Sequence, residues 1–439
     1  MSILKRAKKE KVEEKPKLTP VQPKTGVQKN KDLSIDFSEM DKEVKKPPAF
    51  RSIIRVVDML IQQAYASRSS DIHMDPEEKV MRIRFRIDGV LHDVYEFPRE
   101  LNSEIITRIK VLSGLRTDEH FATQDGRLRV KMPDESFVDV RISIAPTYFG
   151  ENCVMRLLTD HSKDFSLESL GFSEINLKKI ERAIKKPYGL ILATGPTGSG
   201  KTTTLYMVLK KLNNPEVSIV TIEDPIEYSL PGVDQIQVNR KTGLLFSTGL
   251  RSILRQDPNI VMVGEIRDSE TATIAVNAAM TGHLVLSTLH TNDAPTTLPR
   301  LLDLGVEPFL IASTLNIAIG QRLVRTICED CKVKKVLSKD EMDALKDSVP
   351  PKLLGDNKVF YRGEGCPRCS DSGFKGRIGI HEIIEITEKI RTLMMQRANA
   401  DQIRRVAIEE GMVTMLEDGF NKAVAGRTTI EEVLRVFHE

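Results

Sequence analysis

Gly195, Pro196, Thr197, Gly198, Ser199, Gly200, Lys201 and Thr202 fulfil G-x-x-x-x-G-K-[ST] at every position. An apolar run, Leu190 to Ala193, precedes them, and helix-forming Thr203 to Leu212 follows, giving the strand, loop and helix that the motif requires. The glycines let main-chain N–H groups curl around phosphate oxygens, and the following helix adds the positive end of its dipole. Residues 195–203 are therefore expected to bind nucleotide, with Lys201 bridging β- and γ-phosphates and Thr202 holding Mg²⁺ through its hydroxyl. A Gly-rich turn without a ligand is the plain alternative.

Hydrolysis needs carboxylates. Val217 to Ile222 ends in Glu223-Asp224-Pro225-Ile226-Glu227, and Ile260 to Val263 leads into Gly264-Glu265-Ile266-Arg267-Asp268. Both are apolar enough for buried parallel strands, and ligands and Mg²⁺ collect at the carboxyl ends of such strands. Glu223 is assigned to polarise the attacking water and Glu265 to support the Mg²⁺ shell. Asp224, Glu227 and Asp268 serve equally well as helix caps or ion-pair partners. His290 lies beyond a third run, His283 to Ser287, among Thr288, Thr291 and Asn292, where it could sense a γ-phosphate. His283 reads equally as structural.

A second constellation is Cys328-Glu-Asp-Cys331 with Cys366-Pro-Arg-Cys369. Two Cys-x-x-Cys knuckles offer four thiolates to one tetrahedral Zn²⁺, with no position left for substrate, so the site is expected to be structural. The long spacer leaves redox pairs or chance as alternatives. Cys153, alone in an apolar stretch, reads as core.

The elements that must position these groups form an α/β chain. Short Val/Ile/Leu runs at 190–193, 217–222, 260–263 and 284–287 alternate with helical segments, predicting a doubly wound parallel sheet. Upstream, Ile53 to Ala64 carries apolar residues at helical spacing. Val80 to Ile87 alternates strictly, with Arg82, Arg84 and Arg86 on one face, and Asp88-Gly89 then signals a hairpin. Gly126 to Met132 and Val138 to Ile144 alternate as well. Domains are expected at 49–160 (small α/β unit) and 173–439 (nucleotide-binding unit), joined by a linker at 161–172. The larger unit is expected to include a cysteine module at 325–382 and a helical region at 383–439. Residues 1–48, poor in large apolar side chains, are expected to be a disordered basic tail.

Four ordered segments carry a family resemblance: the phosphate loop, Thr221 to Tyr228, Arg251 to Asp268, and Thr281 to Asp293. Together with Ser70-Asp-Ile-His73 and Arg84 to Gly89, they closely resemble the traffic ATPases of type II secretion and type IV pilus assembly. The resemblance spans about residues 50 to 439. It implies a RecA-like core preceded by a PAS-like domain, a homo-hexamer, and arginines of the smaller domain touching phosphate. Arg84, Arg86, Arg108 and Arg127 are the candidates, although an arginine-bearing strand face can also be simply solvated. The resemblance further implies ATP, Mg²⁺ and Zn²⁺ as cofactors, and an inner-membrane platform partner driving pilus or pseudopilus assembly. In that family a tetracysteine module marks assembly and secretion ATPases, whereas retraction ATPases usually lack it. Relatives commonly carry a further N-terminal docking domain, where only about 48 flexible residues are expected here.

Composition narrows the alternatives. The 439 residues are 40% hydrophobic and 29% charged, with net charge +3. Thirteen lysines and arginines against eight acidic residues in the first fifty leave the remainder at −2. A nearly neutral body argues against a RecA-like nucleic-acid motor, and no nucleic acid is expected as partner. No run approaches the ~20 apolar residues of a membrane span, and no secretory signal is visible. A cytoplasmic protein, peripheral at the inner membrane, is the resulting expectation. A non-hydrolysing switch and DNA-uptake or pilus-retraction roles remain as alternatives.

Overall fold

The computed structural model describes residues 35–158, 166–338, 342 and 359–438. Its first sheet contains β1 (Ser69–Pro76), β2 (Val80–Ile87), β3 (Val90–Pro98), β4 (Gln124–Lys131), β5 (Phe137–Thr147) and β6 (Gly150–Leu158). They are ordered β3-β2-β1-β6-β5-β4 and all pair antiparallel. Ile72, Met74, Met81, Ile83, Phe85, Val140, Ile142 and Met155 alternate onto one face. Helices α2 (Ile53–Ala66) and α3 (Leu101–Leu112) bury Leu60, Ile61, Ile105 and Ile109 in the same core. The opposite face keeps the polar residues, as strand alternation requires.

One expectation for the N-terminal segment is corrected. Residues 1–34 lie outside the described part, but Ser38–Val44, expected in a disordered tail, is helix α1. Met40 and Val44 enter the first core, and the buried Glu43 accepts from the Ser52 N–H. Two buried apolar side chains and a cap-like bond thus offset an ordering cost that composition alone overstated.

The second sheet contains β7 (Gly189–Thr194), β8 (Ile219–Glu223), β9 (Asp234–Gln237), β10 (Ile260–Val263), β11 (Leu284–Leu289), β12 (Leu315–Ile327) and β15 (Phe374–Glu385). Their order is β15-β12-β7-β11-β10-β8-β9, parallel throughout except for β15. Apart from the two edges, the order by sequence is fifth, first, fourth, third, second, which is that of a RecA-type core. Helices α4 (Glu174–Ile184) and α5 (Lys201–Leu212) pack on one face, and α6 (Phe246–Ile253), α7 (Ser269–Met280), α8 (Thr297–Asp303) and α9 (Pro308–Thr314) on the other. Asp268 caps α7 by accepting from the Thr271 N–H, a bond worth ~1 kcal/mol.

The cysteine module is less separate than expected. An antiparallel pair, β13 (Lys332–Val336) and β14 (Val359–Gly363), lies between its two knuckles. The strands entering and leaving it, β12 and β15, belong to the main sheet and pair from Ile317 with Glu385 to Ile327 with Phe374. Boundaries at 325 and 382 therefore cut through two long strands. Helices Glu388–Met395, Ala400–Glu409, Met415–Val424 and Ile430–His438 follow. The expected linker overlaps undescribed residues 159–165. Beyond them Phe172 is buried and stacks on His381 of β15 at 3.6 Å.

Candidate active site

The phosphate loop joins β7 to α5 as expected. Gly195 and Gly200 have φ of +146° and +87°, values that side-chain-bearing residues rarely adopt. Lys201 opens α5, nearly buried, with Nζ donating to the carbonyls of Gly195 at 2.9 Å and Pro196 at 3.0 Å. Burial lowers its pKa and nearby Glu265 opposes that shift.

Glu265 lies just past the tip of β10, and β11 separates that strand from β7. The Glu265 carboxylate forms an ion pair with Arg267 Nε at 2.7 Å and lies 3.2 Å from His290 Nε2, beyond the tip of β11. Lys201, Glu265 and His290 thus form one electrostatic cluster at the carboxyl edge of the sheet.

Glu223 has different company. It ends β8 almost fully buried, and accepts from Thr221 Oγ1 at 2.6 Å, from Gln235 Nε2 at 3.2 Å and from the Tyr206 hydroxyl. Burial pushes its carboxyl above the usual range, and the three donors partly offset this. Tyr206 is five residues beyond Lys201 on α5, ~7.5 Å along the axis. The observed partners of Glu223 therefore tie it to the helix behind the loop, not to the loop itself.

On the small unit, a transverse row crosses the polar face: Arg127 of β4, Arg141 of β5, Arg156 of β6, Asp71 of β1 and Arg86 of β2, each directly opposite the next. Asp71 accepts from Arg156 Nε at 3.0 Å and pairs with Arg86 at 3.4 Å. Arg84 pairs with Asp75 at 2.7 Å. Arg108 does not join them; it sits on α3, against the apolar face. Among the described residues, Arg141 reaches the ATP-motif unit, its Nη2 donating to the Ile226 carbonyl. Burial lowers its pKa, Glu227 raises it, and Arg156 and Arg127 push it down further. A second bridge runs from the Gly376 N–H to Asp88 Oδ2 at 2.8 Å.

Sequence reasoning missed Arg141, Tyr206 and Gln235. Arg141 had a signal, since it lies on the polar face of a strand whose alternation is plain. His283 is structural, with Nδ1 3.0 Å from the Ala278 carbonyl. Asp224 pairs with Arg240 at 3.5 Å. Arg251 pairs with Glu270 at 2.8 Å.

The four knuckle cysteines converge, all Sγ atoms within 4.8 Å of one another. Cys328–Cys366 and Cys331–Cys369 are 3.8 Å apart and Cys366–Cys369 3.7 Å. A tetrahedron with metal–sulfur bonds of ~2.3 Å has edges of ~3.8 Å, so the thiols already sit at metal-binding separations. Cys153 is fully buried and its thiol is pushed up to about 12.

A P-loop on a RecA-ordered sheet, joined to an arginine-bearing second unit, defines the class as a P-loop ATPase. Residues 48–435 match the family described as Type II/IV secretion system protein, and the chain belongs to that family. It is 43% identical over 408 residues to the type IV pilus assembly ATPase PilB of Myxococcus xanthus, covering 93% of this chain and 71% of that one. It is 46% identical over 387 residues to type II secretion system protein E of Pectobacterium carotovorum, covering 88% and 76%. Among solved structures, the Legionella pneumophila ATPase DotB superposes with TM-score 0.65 at 19% identity, over 90% of this chain and 98% of that one. The pilus retraction motor PilT with bound ADP gives 0.60 at 24%, over 86% and 96%. These last two are likenesses of fold. No described helix is long and apolar enough to cross a membrane.

Proposed function

We propose that this chain hydrolyses ATP with Mg²⁺ and, as a homo-hexamer, converts turnover into motion of its two units. That motion drives pilus or pseudopilus assembly through an inner-membrane platform partner, with the protein peripheral on the cytoplasmic side. One observation carries the reading: Lys201 of a complete phosphate loop shares a cluster with Glu265 and His290, delivered from neighbouring strand tips. In the proposed division of labour, residues 195–203 cradle phosphate and Thr202 and Glu265 hold the Mg²⁺ shell. Glu223 polarises water, and His290 senses the γ-phosphate. The arginine row meets the transferring phosphoryl group. Clustered like charges there are relieved by an anion, which supports that role.

The cysteine cluster is proposed as a structural Zn²⁺ site, because four thiolates close the coordination sphere. Assembly or secretion is favoured over retraction by the tetracysteine module and by the names of the relatives.

Steady-state ATP hydrolysis tests the enzyme reading. The parent chain should turn over ATP without DNA stimulation, and Lys201→Ala should abolish turnover. Near-normal activity of that variant overturns the site, and strong activation by DNA favours a nucleic-acid motor.

A further inference from the structure

Strand β12 runs alongside the phosphate loop. It pairs with β7 as far as Gly320 opposite Thr194, so Gln321 falls beside Gly195 where the loop begins. The approach is close: a Cβ on Gly195 would lie 2.3 Å from the Gln321 carbonyl oxygen. The Gln321 side chain is 1% exposed, and its Nε2 donates to the Ser199 carbonyl at 2.7 Å. Its Oε1 is buried without a partner, and so is the neighbouring Ser199 Oγ.

Burying a carboxamide costs ~1–3 kcal/mol unless hydrogen bonds compensate. Here one end of the amide is unpaired, while the buried stretch leading to it, Ile317 to Gly320, is apolar. Stability alone therefore gives no reason for glutamine at this position. Geometry does. A trans peptide holds its C=O and N–H on opposite sides of one plane. Fixing the Ser199 oxygen toward Gln321 turns the Gly200 N–H the other way. Gly200 is the cap of α5, and the first N–H groups of a helix have no intrahelical acceptor.

We propose that Gln321 is a positioning residue for nucleotide: its amide locks the 199–200 peptide plane so that the Gly200 N–H is preset toward a phosphate common to ATP and ADP. This rests on the ATPase reading. A loop lacking the bond must select that orientation on binding, which weakens both nucleotides equally, because this class of loop cradles the α- and β-phosphates.

Titration calorimetry of the full chain with ADP and with ATP tests it, alongside thermal unfolding. Gln321→Met keeps the volume and removes the donor. It should bind both nucleotides about tenfold more weakly and by the same factor, the size of one net hydrogen bond, while melting only a few degrees lower because the Ser199 carbonyl loses its donor. Gln321→Glu restores a donor only while protonated, and burial raises a carboxyl's pKa. Its ADP affinity should therefore fall with rising pH more steeply than the parent's. Should the Met variant fail to fold, the pH dependence of the Glu variant decides alone. Binding by the Met variant within twofold of the parent overturns the proposal, as does a Glu variant whose pH response matches the parent's. A parent chain that binds neither nucleotide overturns the ATPase reading instead.

Discussion

At the scale of single residues, Glu223, proposed above to polarise water, is the group whose environment bears most on its proposed role. A water-polarising carboxylate must be ionised, and burial disfavours that form, so its pKa is raised. Turnover should fall as pH drops through this raised value, placing the acid limb of the kcat profile above the ordinary carboxylate range. The Tyr206 hydroxyl counteracts burial by donating to the ionised form. Tyr206→Phe keeps the edge-on ring contact with Tyr228. It should shift the acid limb upward and lower kcat several-fold at neutral pH, whereas an unshifted limb would detach Tyr206 from Glu223. The strand–loop–helix setting of Lys201 and Thr202 was legible from the chain because their motif is local. Tyr206 was not, because in a helical pattern it looks like any core aromatic.

At the scale of elements, the sequence exposed the strands whose apolar runs are short and bounded, β7, β8, β10 and β11. It concealed β12 and β15. β12 is buried on both faces along its first seven residues, so no alternation marks it, and its glycine and glutamine interrupt the apolar run. β15 begins in a Gly-Arg-rich stretch and only later becomes apolar. These two strands tie the cysteine cluster to the main sheet, so loss of a thiol should be felt in global stability. We expect about one zinc per purified chain by elemental analysis. Cys328→Ser should lose most of the metal and melt at least about 5 °C lower. A metal-free parent would remove zinc from the account.

At the scale of the molecule, the two units meet through Arg141 with Ile226 and through Asp88 with Gly376. The alternation of β5 reveals its polar face, but which arginine crosses to the other unit depends on how two sheets dock, and that is not a local property. Arg141→Ala should slow ATP turnover at least about tenfold at little cost in nucleotide affinity, if the arginine acts on the transferring group. Equal losses in kcat and affinity would reduce it to a binding contact. Light scattering with nucleotide present should give six times the 49.4 kDa chain mass. The central claim is that acidic groups at neighbouring strand tips act on a triphosphate held by the Lys201 loop. Its most direct test is Glu223→Gln, measured for ATP binding and hydrolysis together. The account expects near-parental ATP affinity with turnover reduced at least ~100-fold; a glutamine variant hydrolysing ATP within twofold of the parent would contradict it.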